Sequence, residues 1–196
     1  MQILLIRHGQ SEADALEVYE GRSDFPLTPA GVEQAHKMAE RVREAFPPEY
    51  IWGSTLKRAS ETASILARTI GCPINYLPEL EEHNNGKLAG RLQADTPVPR
   101  NLPPHVKLGE TGESGIEFRA RAEHVFSYIK HYSKPYRRIA IVSHEGMISR
   151  ILESFLGLPV HHDYYFHTSE AGIHLIEYNE RGRFVHFLNC DDHVRT

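Results

Sequence analysis

Cysteine is scarce: the 196 residues hold only Cys72 and Cys190. Their separation excludes a CxxC redox pair and any Cys/His metal knuckle, and they read as two reduced thiols of a cytoplasmic protein. Long apolar runs are lacking as well. No window approaches the roughly 18 residues that a membrane-spanning helix needs. The apolar stretch at the N-terminus, Ile3 to Ile6, ends at Arg7 and is too short for a secretory signal. The expectation is a cytoplasmic chain with no membrane contact. Charge of one sign is also in short supply: Lys and Arg number 22 against 26 Asp and Glu, and the net charge of -4 gives no reason to expect nucleic acid. Any anion site must therefore be local. Internal repeats and low-complexity tracts are absent, which leaves an ordinary globular organisation.

What is present fits that organisation. An apolar fraction of 40% and a charged fraction of 24% suit one packed core, so residues 1–196 are expected to form a single domain. Ile3-Leu4-Leu5-Ile6 ends abruptly in charge and glycine, as a strand buried on both faces of a parallel sheet does. Thr28-Pro29 reads as a helix cap and first residue, with Val32, Ala35, Ala39, Val42 and Phe46 at helical spacing before Pro47-Pro48. Tyr50 to Ser54 reads as a second strand. Leu56, Ala59, Ala63, Leu66 and Ile70 then make a helical stripe, capped by Ser54 or Thr55 and closed by Gly71. Ile74 to Leu77 is a third strand.

From about Gly90 to Gly112 periodicity fails and Pro97, Pro99, Pro103 and Pro104 accumulate, which predicts a lid-like loop insertion. Phe118, Ala122, Val125, Phe126 and Ile129 mark a long helix. The strand Ile139 to Val142 follows, then a helix bearing Ile148, Ile151, Leu152 and Phe155. Gly172 to Tyr178 and Phe184 to Leu188, joined through Asn179-Glu180-Arg181-Gly182, suggest a closing hairpin at one sheet edge. Strands alternating with helices imply an α/β fold with a mostly parallel sheet covered on both faces. Such sheets bind ligands at the carboxyl ends of their strands.

Arg7-His8-Gly9 and His144-Glu145-Gly146 both fall at such ends. Transfer of a phosphoryl group to a protein nucleophile needs an unprotonated nitrogen or oxygen in line with the leaving group, and cations on the equatorial oxygens. His8 supplies the nitrogen. Arg7 and Arg58 supply charge, the helix starts supply amide groups, a protonated His144 would add a donor, and Gly9 leaves room for backbone to approach phosphate. Departure of an alkoxide needs a proton, and Glu82 is the carboxyl group chosen to give it and later to activate water. Each residue taken singly has an ordinary reading. Arg7-His8-Gly9 could be a solvated strand-end turn, His144 a helix-start histidine bonded to backbone, Glu82 a loop carboxylate, and Arg58 a surface partner of Glu61.

Taken together, four segments resemble the histidine phosphatase (phosphoglycerate mutase-like) superfamily, branch 1, and in particular its short bacterial phosphatases. They are Arg7-His8-Gly9-Gln10-Ser11, Gly21 to Thr28 with Gly31, Ser54 to Ala63, and Ser143-His144-Glu145-Gly146. The resemblance covers nearly the whole chain. It implies a three-layer αβα sandwich with an antiparallel edge strand, a phosphohistidine on His8, phosphate held by Arg7, Arg58 and His144, and no metal or organic cofactor. The family's acid lies in a Leu-x-Glu-x-x-x-Gly segment, which places it at Glu82 of Leu80 to Gly86 rather than at Glu81. Further phosphate or substrate contacts are expected at Gly9, Gly21 and Glu145.

Two positions depart from the family pattern: Asp14 where asparagine is common, and Glu20 where a polar amide is common. A second carboxylate beside a dianionic phosphate costs on the order of 1 kcal/mol or more. Asp14 and Glu20 are therefore expected to favour substrates whose leaving group carries no second negative charge. The expected activity is hydrolysis of small phosphorylated metabolites by a monomer or homodimer. The alternatives are phosphoglycerate mutase-type transfer and phosphate binding without turnover. His161, His162 and His167 with Asp163 show no recognised metal-ligand spacing. Glu81, Asp95, Glu113 and Asp191-Asp192-His193 read as solvated surface groups, with only Glu113 beside a loop that approaches the substrate.

Overall fold

A computed structural model describes residues 1–98, 102–160, 162 and 164–195. Pro99 of the predicted loop insertion, and His161 and Asp163 of the histidine cluster, lie outside the described residues. Four strands run parallel: β1 (Gln2–Arg7), β2 (Tyr50–Ser54), β3 (Ile74–Leu77) and β4 (Arg138–Ser143). The hairpin β5 (Ile173–Asn179) and β6 (Gly182–Cys190) joins antiparallel to β1, so the sheet order is β3-β2-β4-β1-β5-β6. The antiparallel border is thus a hairpin two strands wide.

Alternation along β1 and β4 explains the layering. Ile3, Leu5, Ile139 and Ile141 face a cluster built with Phe118, Val125, Phe126, Ile148 and Phe155. Leu4, Ile6, Ala140 and Val142 face the opposite cluster, built with Ala35, Met38, Val42, Ala63 and Leu66. Both faces are apolar because both carry helices, and each fully buried Leu or Ile contributes about 1.5–3 kcal/mol of transfer free energy. The helices α2 (Pro29–Ala45) and α3 (Lys57–Ile70) cover one face. Helices α4 (Gly115–Tyr132) and α5 (Glu145–Leu156) cover the other. Val32, placed in the apolar stripe of α2 by its spacing, is 37% exposed and stands outside it.

Caps set where these helices begin. Thr28 Oγ1 accepts the Gly31 amide at 3.0 Å and Pro29 sits in the first turn. Ser114 and Glu117 form a reciprocal capping box on α4. The expected cap on α3 differs: neither Ser54 nor Thr55 fills it, because Ser54 Oγ lies 2.9 Å from His144 Nε2 and Thr55 Oγ1 donates to Glu81 Oε1 at 2.6 Å. Leu56 occupies the cap position and the Asp24 carboxylate, 33 residues earlier, accepts the Lys57 amide at 2.7 Å. Two short helices were not anticipated, α1 (Glu12–Leu16) and α6 (Asp192–Arg195). Five residues carry too little periodicity to announce a helix, yet Ser11 and Asp14 close a capping box around α1. No helix among the described residues is long and apolar enough to cross a membrane.

Candidate active site

The sheet order decides which residues meet. Strands β1 and β4 are neighbours in parallel register, with Arg7 opposite Ser143, so the residues that follow each strand emerge side by side. His8 and His144 are 136 positions apart in sequence, yet their ring centroids lie 5.0 Å apart in an edge-to-face arrangement. Strand β2 lies against the other side of β4, and the first turn of α3 carries Arg58 to the same place.

His8 is almost fully buried, with Nδ1 2.7 Å from its neighbour's carbonyl, Gly9 O. A carbonyl only accepts, so Nδ1 carries the proton and Nε2 is left with a free lone pair. That lone pair faces Arg58 Nε at 3.3 Å. Burial, then the nearby Arg58 and Arg7 guanidinium groups, push the His8 pKa well below its ordinary value and outweigh the opposing Gly9 carbonyl. The ring is neutral at physiological pH.

Arg58 is completely buried and fixed by two backbone acceptors, Ser23 O and Gly21 O, each at 2.8 Å. Gly21 thus serves the site through its carbonyl, as a brace for Arg58. Arg7 donates to Asp14 Oδ1 at 2.8 Å, to Thr168 O at 2.9 Å and to Glu145 Oε2 at 3.2 Å, while its Nε is buried without a partner among the described residues. Burial works to lower the Arg7 pKa, but Asp14, Glu145 and Glu20 raise it further, so the cation persists. His144 differs from the expectation of a protonated donor. It is fully buried, and burial followed by Arg58, His8 and Arg7 holds its pKa well below the ordinary value, so the ring is neutral. Ser54 engages its Nε2, and its Nδ1 has no partner among the described residues.

Glu82 lines the same cleft, its carboxylate accepting the Gly146 amide at 2.9 Å and the His83 amide at 2.7 Å. The Gly146 amide at the start of α5, expected to point at phosphate, is therefore spent on Glu82. Gly9 departs similarly. Its amide donates to Thr62 Oγ1 at 3.2 Å, and a side chain there would collide with the Gly31 backbone, so its small size serves chain packing. Glu145 accepts from the Thr168 amide at 3.2 Å and lies 2.7 Å from His167 Nδ1, and with its other oxygen orients Arg7. Asp14 both caps α1 and holds Arg7. Glu20 reaches deepest: its carboxylate stands 3.3 Å from Arg58 Nε and 3.8 Å from His8 Nε2 and accepts from Ser11 Oγ.

A profile of the "Histidine phosphatase superfamily (branch 1)" matches residues 3–191. The chain belongs to this superfamily. It is 30% identical over 190 residues to "Probable phosphoglycerate mutase GpmB" of Yersinia pestis (strain Pestoides F), across 92% of this chain and 86% of that protein. The crystal structure of the alpha-ribazole phosphatase from Shigella flexneri superposes with a TM-score of 0.84 at 26% identity, covering 97% of each chain. A mycobacterial glucosyl-3-phosphoglycerate phosphatase shares the fold, with a TM-score of 0.83 at 22% identity, over 96% of this chain and 99% of that one.

In this member of the superfamily the cleft of about 590 Å³ is lined by Arg7, His8, Asp14, Glu20, Gly21, Glu82, Glu145 and Gly146, among others. The remaining three sequence-selected residues each lie against His8 of that set: Arg58 bonds it, and Gly9 adjoins it. His144 stacks edge-on against His8. Several supporting residues escaped the sequence reading. Ser54 orients His144, and Thr62 bonds both the Gly9 amide and Arg58 O. Arg121 grips the carbonyls of Glu79, Glu81 and Glu82 at 2.6–2.9 Å while making a two-pronged pair with Glu113. Glu113, read as a solvated group, is therefore part of the brace under Glu82, accepting the Asn84 amide at 3.0 Å as well. No local sequence signal marks Arg121, since the carbonyls it grips lie about forty residues upstream.

The two described histidines of the cluster have separate carboxylate neighbours. His162 Nε2 lies 3.3 Å from Glu153, and His167 bonds Glu145. Among the described residues one group could offer three ligand atoms to a metal, His8 with Asp14 and Glu20, all within 4.8 Å of one another. Arg7 and Arg58 already pair with those two carboxylates, so the site's positive charge comes from guanidinium groups.

Proposed function

We propose that this protein hydrolyses phosphomonoesters of small metabolites through a phosphohistidine on His8. The observation that carries this reading is the His8 ring: Nδ1 bonded to Gly9 O, Nε2 unprotonated and facing Arg58, with Glu82 in the same cleft. In the first step Nε2 attacks phosphorus and the P–O bond to the alcohol breaks, with Glu82 giving its proton to the departing oxygen. In the second, Glu82 takes a proton from water, the water oxygen attacks phosphorus, and the N–P bond breaks to release inorganic phosphate. Arg7, Arg58 and a proton on His144 Nδ1 face the transferred oxygens throughout; a neutral His144 still donates through that nitrogen. The charge that a phosphoryl group develops is met by these residues without a metal ion.

Phosphoglycerate mutase-type transfer is the second reading, favoured by the relative described in those words. It needs a phosphohistidine shielded from water and a site that welcomes the glycerate carboxylate. Asp14 and Glu20 beside the nucleophile oppose a second anion, which favours hydrolysis of esters with neutral or cationic leaving groups. One series of assays tests the proposal: aryl phosphate hydrolysis in chelator, interconversion of 3- and 2-phosphoglycerate, and acid-labile labelling of the protein. Hydrolysis and labelling that vanish in His8→Ala are expected. Labelling with interconversion but no phosphate release would establish the mutase, and neither labelling nor release would leave phosphate binding alone.

A further inference from the structure

Next to the catalytic cleft lies a second and larger chamber, of about 1100 Å³. His83, Arg150 and Tyr165 line both, so the two spaces adjoin. One wall comes from the segment ahead of α4 and presents Leu102, Val106 and Leu108 with the Pro103-Pro104 pair. The facing wall follows α5 and presents Val160 and Tyr164, which remain 48% and 64% exposed. Apolar side chains left facing a concave space beside a polar cleft mark a place where something apolar binds.

The charged groups described along the chamber, Arg150 and Glu153, are turned on one another. Arg150 Nη1 meets both oxygens of the buried Glu153 carboxylate at 2.9 and 3.0 Å. Arg119 Nη1 reaches the same carboxylate at 3.1 Å from behind, and His162 Nε2 lies 3.3 Å from it. Among the described lining residues no carboxylate or ammonium stands free to hold an opposite charge. Against these described residues an occupant with its own charge would lose water without gaining a partner, at a cost that an uncharged one avoids.

We infer that this chamber is the subsite for the alcohol portion of the substrate, and that it takes a bulky, uncharged, apolar or aromatic group. The inference rests on the phosphatase reading for the position of the phosphate and adds the class of leaving group. Asp14 and Glu20 turn away a second anion near the phosphate; the chamber selects for apolar bulk beyond it. Carboxylate-bearing glycerate phosphates satisfy neither requirement.

The test compares 3-phenylpropyl phosphate with propyl phosphate, whose leaving alkoxides are alike, together with the non-hydrolysable 3-phenylpropylphosphonate and methylphosphonate. The expected result is kcat/KM at least about tenfold higher for the phenylpropyl ester, the scale on which a pocket discriminates by apolar bulk. Calorimetry should give a matching preference in Kd between the phosphonates. Val106→Asp and Leu102→Asp, both on the loop wall and outside the two core clusters, should abolish the preference while propyl phosphate turns over unchanged. Equal kcat/KM for the two esters, or variants that slow both alike, would overturn the subsite. If neither ester is hydrolysed, the phosphatase reading fails, and the phosphonate pair alone decides the chamber: a preference removed by the variants supports it and equal binding refutes it.

Discussion

Replacing Glu20 by glutamine should tighten the binding of inorganic anions. The Glu20 carboxylate stands 3.3 Å from Arg58 Nε and 3.8 Å from His8 Nε2, where an oxygen of a bound phosphate would find the same donor. At that separation, with an effective dielectric constant near 20, the gross attraction between Arg58 and Glu20 is about 5 kcal/mol. Desolvation of two nearly buried charges cancels much of it, leaving a net penalty of about 1–3 kcal/mol that an entering anion must overcome. Glutamine keeps the shape and the bond to Ser11 and removes the charge, so the sulfate Kd measured by calorimetry at pH 7.5 should fall by roughly 5- to 150-fold. Burial first, and then Asp14, hold the Glu20 pKa above its ordinary value against the pull of Arg58, Ser11 and Arg7. Sulfate affinity of the unsubstituted protein should therefore rise as pH falls through that elevated pKa, while Glu20→Gln shows a flatter profile. The same elevation means that ionised Glu20 costs stability above its unfolded pKa, so the glutamine variant should melt at an equal or higher temperature at pH 7.5. An unchanged or weaker sulfate Kd with an unaltered pH profile would refute the reasoning.

Three further outcomes follow from the same geometry. Gly146→Ala would place a methyl group 2.5 Å from Glu82 Oε1, so Glu82 must shift; kcat on a poorly activated alkyl ester should drop by about 10- to 100-fold with little change in KM, and an unchanged kcat would remove Glu82 from the mechanism. Arg121→Ala frees three carbonyls and Glu113, and should cost about 1–3 kcal/mol of stability by denaturant titration and lower kcat more than it alters KM. Arg121→Lys should recover little, because one ammonium cannot replace the fork. His174 is buried with its pKa lowered to about 4, so it folds neutral while the unfolded chain binds a proton. Its contribution, up to about 3 kcal/mol, is complete above pH 6.5 and is lost as pH falls toward 4; thermal melts across that range should show a shallower decline for His174→Gln.

Much of this architecture was legible because local patterns are repeated by tertiary demands. The continuous apolar runs at Ile3 to Ile6 and Ile139 to Val142 mark strands covered on both faces, and each ends where a site residue begins. Thr28-Pro29 and Gly71 announce helix ends whose geometry the folded chain adopts. The cap of α3 was misread because the hydroxyls of Ser54 and Thr55 have stronger claims on them from His144 and Glu81, residues no nearby pattern mentions. Gly9 reads as an opening for phosphate and the Gly146 amide as a donor to it, whereas Gly9 is small to admit Gly31 and Gly146 is small to admit Glu82.

The sequence by itself determined that the chain builds a covered parallel sheet and carries His8, Arg7, Arg58, Glu82 and His144 in segments suited to phosphoryl chemistry. Those signals are periodic or contiguous, and so they survive in one dimension. Only the tertiary structure decided the protonation of His144, the lodging of Glu20 against Arg58, the brace of Arg121 and Glu113 beneath Glu82, and the apolar chamber beside the cleft. Each of these depends on distance and burial between residues remote in the chain, and electrostatic energies and packing volumes exist only once those residues are brought together.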